Sequence, residues 1–123
     1  MTRILIVDDS AVSRKRLRTI LEAAGFTVAG EACDGAEGFE QYKALLPDIA
    51  TLDITMPNVN GITLLKQIKE QYPEARVIMI TALGNSGKIL EALDAGASNY
   101  ITKPFEDGQI IATIREVLNS RLM

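Results

Sequence analysis

Short apolar runs alternate along this chain with stretches of helical period, and that alternation restricts the fold more than any other feature. Ile4–Val7, Ile49–Leu52 and Val77–Ile80 lack the polar-apolar alternation of a half-wet strand. Such runs read as strands buried on both faces, as in a parallel sheet covered by helices on each side. Thr27–Glu31 and Asn99–Thr102 are more polar and belong nearer the sheet edges. Between the strands, Leu17, Ile20, Leu21 and Ala24 follow helical spacing. So do Leu64, Leu65, Ile68 and Tyr72, then Ile89, Leu90 and Leu93, and finally Ile110, Ile111, Ile114, Val117 and Leu118.

The punctuation agrees with this pattern. Gly25 and Gly96 stand where helices should end in a left-handed residue, and Pro47 and Pro73 block continuation of the helices before them. The expectation is a single α/β domain over residues 1–123, with five strands and five helices in strict alternation. Short β-α links imply parallel strands and right-handed crossovers. Five strands suit a doubly wound, flavodoxin-like sheet in the order 2-1-3-4-5, which reverses between strands 1 and 3 and binds ligands beyond their carboxyl ends.

Composition narrows the functional classes. The 123 residues carry a net charge of −3, which disfavours nucleic-acid binding. No apolar stretch approaches the roughly 20 residues of a membrane span, and the first residues, MTRILIVDDS, do not read as a signal peptide. The lone cysteine, Cys33, reads as a small buried hydrophobe and fits a reducing cytoplasm. The chain has no histidine, so any histidine chemistry must come from a partner.

At the predicted strand ends stand Asp8 and Asp9 after strand 1, Asp53 after strand 3, Thr81 at the end of strand 4 and Lys103 after strand 5. Asp9 alone also reads as a helix N-cap, because SAVSRK opens a helix. Two carboxylates about 4 Å apart repel by about 4 kcal/mol at an effective dielectric near 20. A hard dication with oxygen ligands offsets that, and Mg²⁺ suits it. The set is suited to phosphoryl chemistry: Asp53 as nucleophile forming an acyl phosphate, Asp8 and Asp9 holding the metal directly or through water with the Thr55 main-chain carbonyl as a further ligand, and Lys103 and Thr81 binding the phosphoryl oxygens.

The runs ILIVDDS, LDITMPNVNG, IMITA and YITKPF resemble those of a response-regulator receiver domain, and the resemblance spans the whole chain. With no output domain attached it is similar to the single-domain CheY type, CheY being itself a familiar example of the 2-1-3-4-5 order. The resemblance implies phosphorylation of Asp53, Mg²⁺ on Asp8 and Asp9, Thr81 and Tyr100 as switch residues, Lys103 on the phosphoryl group, and a cis Lys103–Pro104 bond. It implies a phosphohistidine donor on a CheA-like histidine kinase or a phosphotransfer protein, with acetyl phosphate as a substitute. Thr55 and Leu83 fall at the positions that tune hydrolysis.

The resemblance also implies that the first helix, with Arg14, Lys15, Arg16 and Arg18, faces the kinase, although a charge run by default is a solvated face. On phosphorylation, the face made by the fourth helix, fifth strand and fifth helix would change shape, helped by a loop containing Gly84 and Gly87. Output is expected in chemotaxis, through a target such as a flagellar motor switch protein; a phosphorelay intermediate or another single-domain regulator is the alternative. A phosphatase can assist turnover, and a monomer is expected. Met56, Pro57, Asn58 and Asn60-Gly61 read as a turn into the third helix.

Two other classes are open to the same residues. A haloacid-dehalogenase-like phosphatase also uses an aspartate and Mg²⁺, but places a second acid where Thr55 stands. A flavodoxin-like nucleotide binder needs a phosphate loop after strand 1, where this chain has Asp8 and Asp9.

Overall fold

In a computed structural model, which describes residues 2–56, 59–82, 84 and 86–119, the elements alternate as the pattern requires: β1 (Arg3–Val7), α1 (Ala11–Ala23), β2 (Thr27–Ala32), α2 (Gly35–Leu45), β3 (Ile49–Asp53), α3 (Gly61–Gln71), β4 (Val77–Ala82), α4 (Ser86–Asp94), β5 (Asn99–Lys103) and α5 (Asp107–Asn119). All pairings are parallel, in the order β2-β1-β3-β4-β5, so the two more polar strands are the edges.

Successive side chains of the central strands enter two separate cores, which is why these strands are apolar throughout. Leu5, Val7, Ala50, Leu52, Val77 and Met79 pack with Leu64, Leu65 and Ile68 of α3, Tyr42 of α2 and Ala92 of α4. Ile4, Ile6, Ile49, Ile78, Ile80 and Ile101 pack on the other face with Leu17, Ile20 and Leu21 of α1 and Ile110, Ile114 and Val117 of α5. Thr51 lies in register with Ile6 and Ile78, so its hydroxyl enters the second core.

Gly25 and Gly96 adopt positive φ after α1 and α4, as expected. The α2 helix instead ends on Leu46 with φ 45°. Three helices begin on side-chain caps: Ser10 accepts from the Ser13 N–H, Asp34 from Glu37 and Asn60 from Thr63. Ser10 is therefore the cap of α1, and Asp9 is left for other work.

Four expectations are corrected. Cys33 is exposed rather than buried, because it lies in the turn between β2 and α2. The stripe Ile89, Leu90 and Leu93 does not seal α4: Leu90 and Leu93 are exposed, and Ala92 is the residue buried in the core. Gly87 belongs to the first turn of α4, so the loop before that helix is shorter than the glycines suggest. Arg14, Arg16 and Arg18 are bonded to neighbouring elements rather than merely solvated.

Candidate functional site

The β1 and β3 strands are neighbours at the sheet's reversal, and both end in acids. Asp8, buried, leaves β1, and Asp53, also buried, closes β3. One carboxylate oxygen from each of Asp8, Asp9 and Asp53 falls within 4.8 Å of the others. Asp9 is exposed and forms the open side of this cluster. Thr81, fully buried, stands on β4 one residue past Ile80, the register partner of Asp53. Lys103 ends β5 and reaches across β4 and β3, its Nζ lying 3.1 Å from Asp8 Oδ2 and 3.6 Å from Asp53 Oδ2.

Local turns hold the carboxylates in place. The Ser10 N–H donates to Asp8 Oδ1 (2.8 Å) and the Thr55 N–H to Asp53 Oδ1 (3.3 Å). Gly61 begins α3 against the Asp53–Ile54 peptide, where an added Cβ would collide with the Asp53 carbonyl, and its N–H donates to the Ile54 carbonyl (2.8 Å). Gly35 of α2 likewise presses on the Val59 carbonyl in the β3–α3 connection. The Lys103–Pro104 peptide is cis, as the resemblance implies.

Burial pushes the Asp53 carboxyl up to about 6, against the opposing pull of the Lys103 ammonium. The neighbouring Asp8 and Asp9 push it further up, and the Thr55 N–H works against them. A buried carboxylate beside two others is short of positive charge, and Lys103 alone does not make up the deficit. The donor set of three hard carboxylate oxygens fits an oxygen-seeking dication such as Mg²⁺.

The structure thus brings Asp8, Asp9, Asp53, Thr81 and Lys103 to one edge, with the Thr55 backbone beside them. Tyr100 lies on β5 in register with Met79 and is exposed. Leu83, Pro57 and Asn58 lie outside the described residues. Sequence reading missed Arg14, whose Nη1 donates to the Asp8 carbonyl (2.6 Å), and Arg16, whose Nη2 donates to the Phe105 carbonyl (2.6 Å). It also missed the close approach of Gly61, for which the Asn60-Gly61 pair was the available signal.

The response regulator receiver domain model matches residues 4–115. The chain belongs to the response regulator receiver family. Among relatives of this receiver domain, the chemotaxis protein CheY of Thermotoga maritima is 45% identical over 115 residues, covering 94% of this chain and 96% of that protein. CheY of Bacillus subtilis is also 45% identical, over 117 residues, covering 95% and 98%. Among solved structures, a CheX–CheY–BeF₃–Mg²⁺ complex from Borrelia burgdorferi superposes with a TM-score of 0.92 at 40% identity, covering 95% of this chain and 89% of that one. The receiver domain shares the five-stranded, 2-1-3-4-5 architecture of these CheY-type proteins. No helix among its described residues is long and apolar enough to cross a membrane.

Proposed function

We propose that residues 1–123 work as one receiver domain, in which Asp53 accepts a phosphoryl group and the resulting change of surface signals to a protein target. The carrying observation is the Lys103 ammonium set between Asp8 and Asp53, inside a cluster of three carboxylates at the sheet's reversal. A carboxylate oxygen of Asp53 attacks phosphorus. The new O–P bond forms as the P–N bond of a partner's phosphohistidine breaks, and the imidazole nitrogen keeps the electron pair and takes a proton from solvent. This chain has no histidine, so the donor is a separate histidine kinase or phosphotransfer protein.

Asp8 and Asp9 would hold Mg²⁺ together with Asp53 and the Thr55 main-chain carbonyl. The bound ion supplies charge neutralisation for the carboxylates and for the entering phosphoryl oxygens. Lys103 moves from two carboxylates to a phosphoryl oxygen, and the Thr81 hydroxyl binds another. Thr55 and Leu83 then set the rate of hydrolysis; an aliphatic Leu83 cannot orient water, which favours a long-lived acyl phosphate. Movement of Thr81 toward the phosphoryl group lets Tyr100 turn inward and reshapes the α4-β5-α5 face.

The relatives named chemotaxis protein CheY favour a chemotaxis pathway, and the CheX–CheY complex favours a protein partner. In that pathway the reading takes a CheA-like donor, a motor-switch target, an assisting phosphatase and a cytoplasmic setting. Each chain takes one phosphoryl group and has no turnover on an external substrate. The test is intact mass after incubation with acetyl phosphate and Mg²⁺. Wild type gains one phosphoryl mass and Asp53→Asn gains none. Equal labelling of both, or repeated turnover of a small phosphate ester, sinks the reading.

A further inference from the structure

The Asp8 carbonyl belongs to the peptide that joins the two aspartates of the β1–α1 turn. Arg14 Nη1 donates to that carbonyl at 2.6 Å, and Arg14 Nε lies 3.4 Å from Glu31 Oε1 on β2. Glu31 is held in turn by Arg18 Nε at 2.6 Å, through its other oxygen. Arg18 pairs also with Glu22, one turn further along α1. A planar guanidinium with several donors can bond the carbonyl and the carboxylate at once, whereas an ammonium offers one point of charge.

The consequence falls on Asp9. Asp8 has its own anchors, from the Ser10 N–H and from Lys103. Asp9 is exposed, and among the described residues its carboxylate has no bonded partner. Its direction is therefore set by the Asp8–Asp9 peptide, which Arg14 holds. We propose that Arg14, braced by Glu31, is a positioning residue that fixes this peptide so that Asp9 completes the acidic cluster. The inference rests on the metal-binding reading above and deepens it. Arg14 touches neither metal nor phosphoryl group; it acts through Asp9.

Coulomb's law alone gives the opposite sign, which makes the idea testable. Deleting a cation this near an acidic cluster should tighten the binding of a dication. Loss of a positioning bond should weaken it, by about 10-fold on the scale of outer-shell partners.

The experiment is calorimetric titration of the full metal-free chain with MgCl₂ alone, with thermal unfolding of the same samples. Arg14→Gln should raise the Mg²⁺ Kd about 10-fold. Glu31→Gln should raise it by less, because the bond to the Asp8 carbonyl survives. Arg14→Lys conserves charge but cannot span both partners, so its Kd should also rise. A role in fold stability alone would lower Tm and leave Kd where it is. Equal or tighter binding by Arg14→Gln overturns the proposal. If that variant does not fold, an unchanged Kd for Arg14→Lys overturns it instead. A wild-type chain that binds no Mg²⁺ removes the metal reading and the proposal together, whereas a binding wild type with an unaffected arginine variant removes only the role of Arg14.

Discussion

Asp53 is held as a carboxylate in a place that favours the acid. Its folded-state value of about 6 lies above the ordinary 3.8, chiefly through burial. The folded chain therefore keeps a proton that the unfolded chain has released between those values. Stability falls as pH rises through that window, and the penalty is complete above about 6. Without divalent cations, Asp53→Asn should be more stable than wild type by about 1–3 kcal/mol near pH 7.5, with the gain fading toward pH 4. Urea unfolding of both proteins at the two pH values checks this, and a gain that grows in acid would contradict it. Thr51 is a separate liability. Its buried hydroxyl has no hydrogen-bond partner among the described residues, between Ile6 and Ile78. Thr51→Val keeps the shape and removes the orphaned group, so it should stabilise the fold by about 1 kcal/mol in the same assay.

At the scale of elements, α1 acts as a strut between the two loops that wall the site. Arg14 grips the turn after β1. Arg16 grips the turn after β5, bonding the Phe105 carbonyl and lying over the Phe105 ring at 4.7 Å. Its ion pair with Asp107, at 3.7 Å and largely exposed, adds little. Arg16→Ala should cost about 1–2 kcal/mol in urea unfolding, while Asp107→Asn should change stability by about 0.5 kcal/mol or less. Equal losses would mean that the ion pair, not the loop contact, is the anchor.

None of this bracing was legible in the sequence, and the reason is physical. Periodicity reports which face a residue occupies, not what lies opposite. The partners Arg16 and Phe105 are 89 positions apart. The same limit explains α4, where Leu90 and Leu93 have the right spacing but, among the described residues, no neighbouring element covers them. Cys33 escaped for a related reason, since a turn residue after an edge strand carries no periodic signal. By contrast, the runs at β1, β3 and β4 could be read directly, because strands with two buried faces have no polar alternation to confuse them. The acids and Thr81 followed from those strands, since a strand's end fixes where the next residue lies, and Lys103 followed in the same way from the more polar run of β5.

The whole molecule couples the site to global stability, because its charged residues are anchored on β1, β3 and β5, and Thr81 on β4, all strands of a single sheet. The two cores share that sheet, so the edge carrying the carboxylates cannot open without disturbing both. A ligand that binds only the folded chain then stabilises all of it, by about 2.7 kcal/mol at one hundred times its Kd. For a domain of this size that is a rise in Tm on the order of 10 °C. Saturating Mg²⁺ should produce such a shift at neutral pH. Asp8→Asn should reduce it sharply by removing one of the clustered oxygens. Asp53→Asn should start from a higher metal-free Tm and gain much less, because the amide relieves in advance the repulsion that the ion would offset. Scanning calorimetry of the three proteins with Mg²⁺ and with a chelator separates these outcomes. If Mg²⁺ shifted all three melting temperatures equally, the ion would be acting elsewhere on the surface, and the carboxylate cluster would lose its claim to be the metal site.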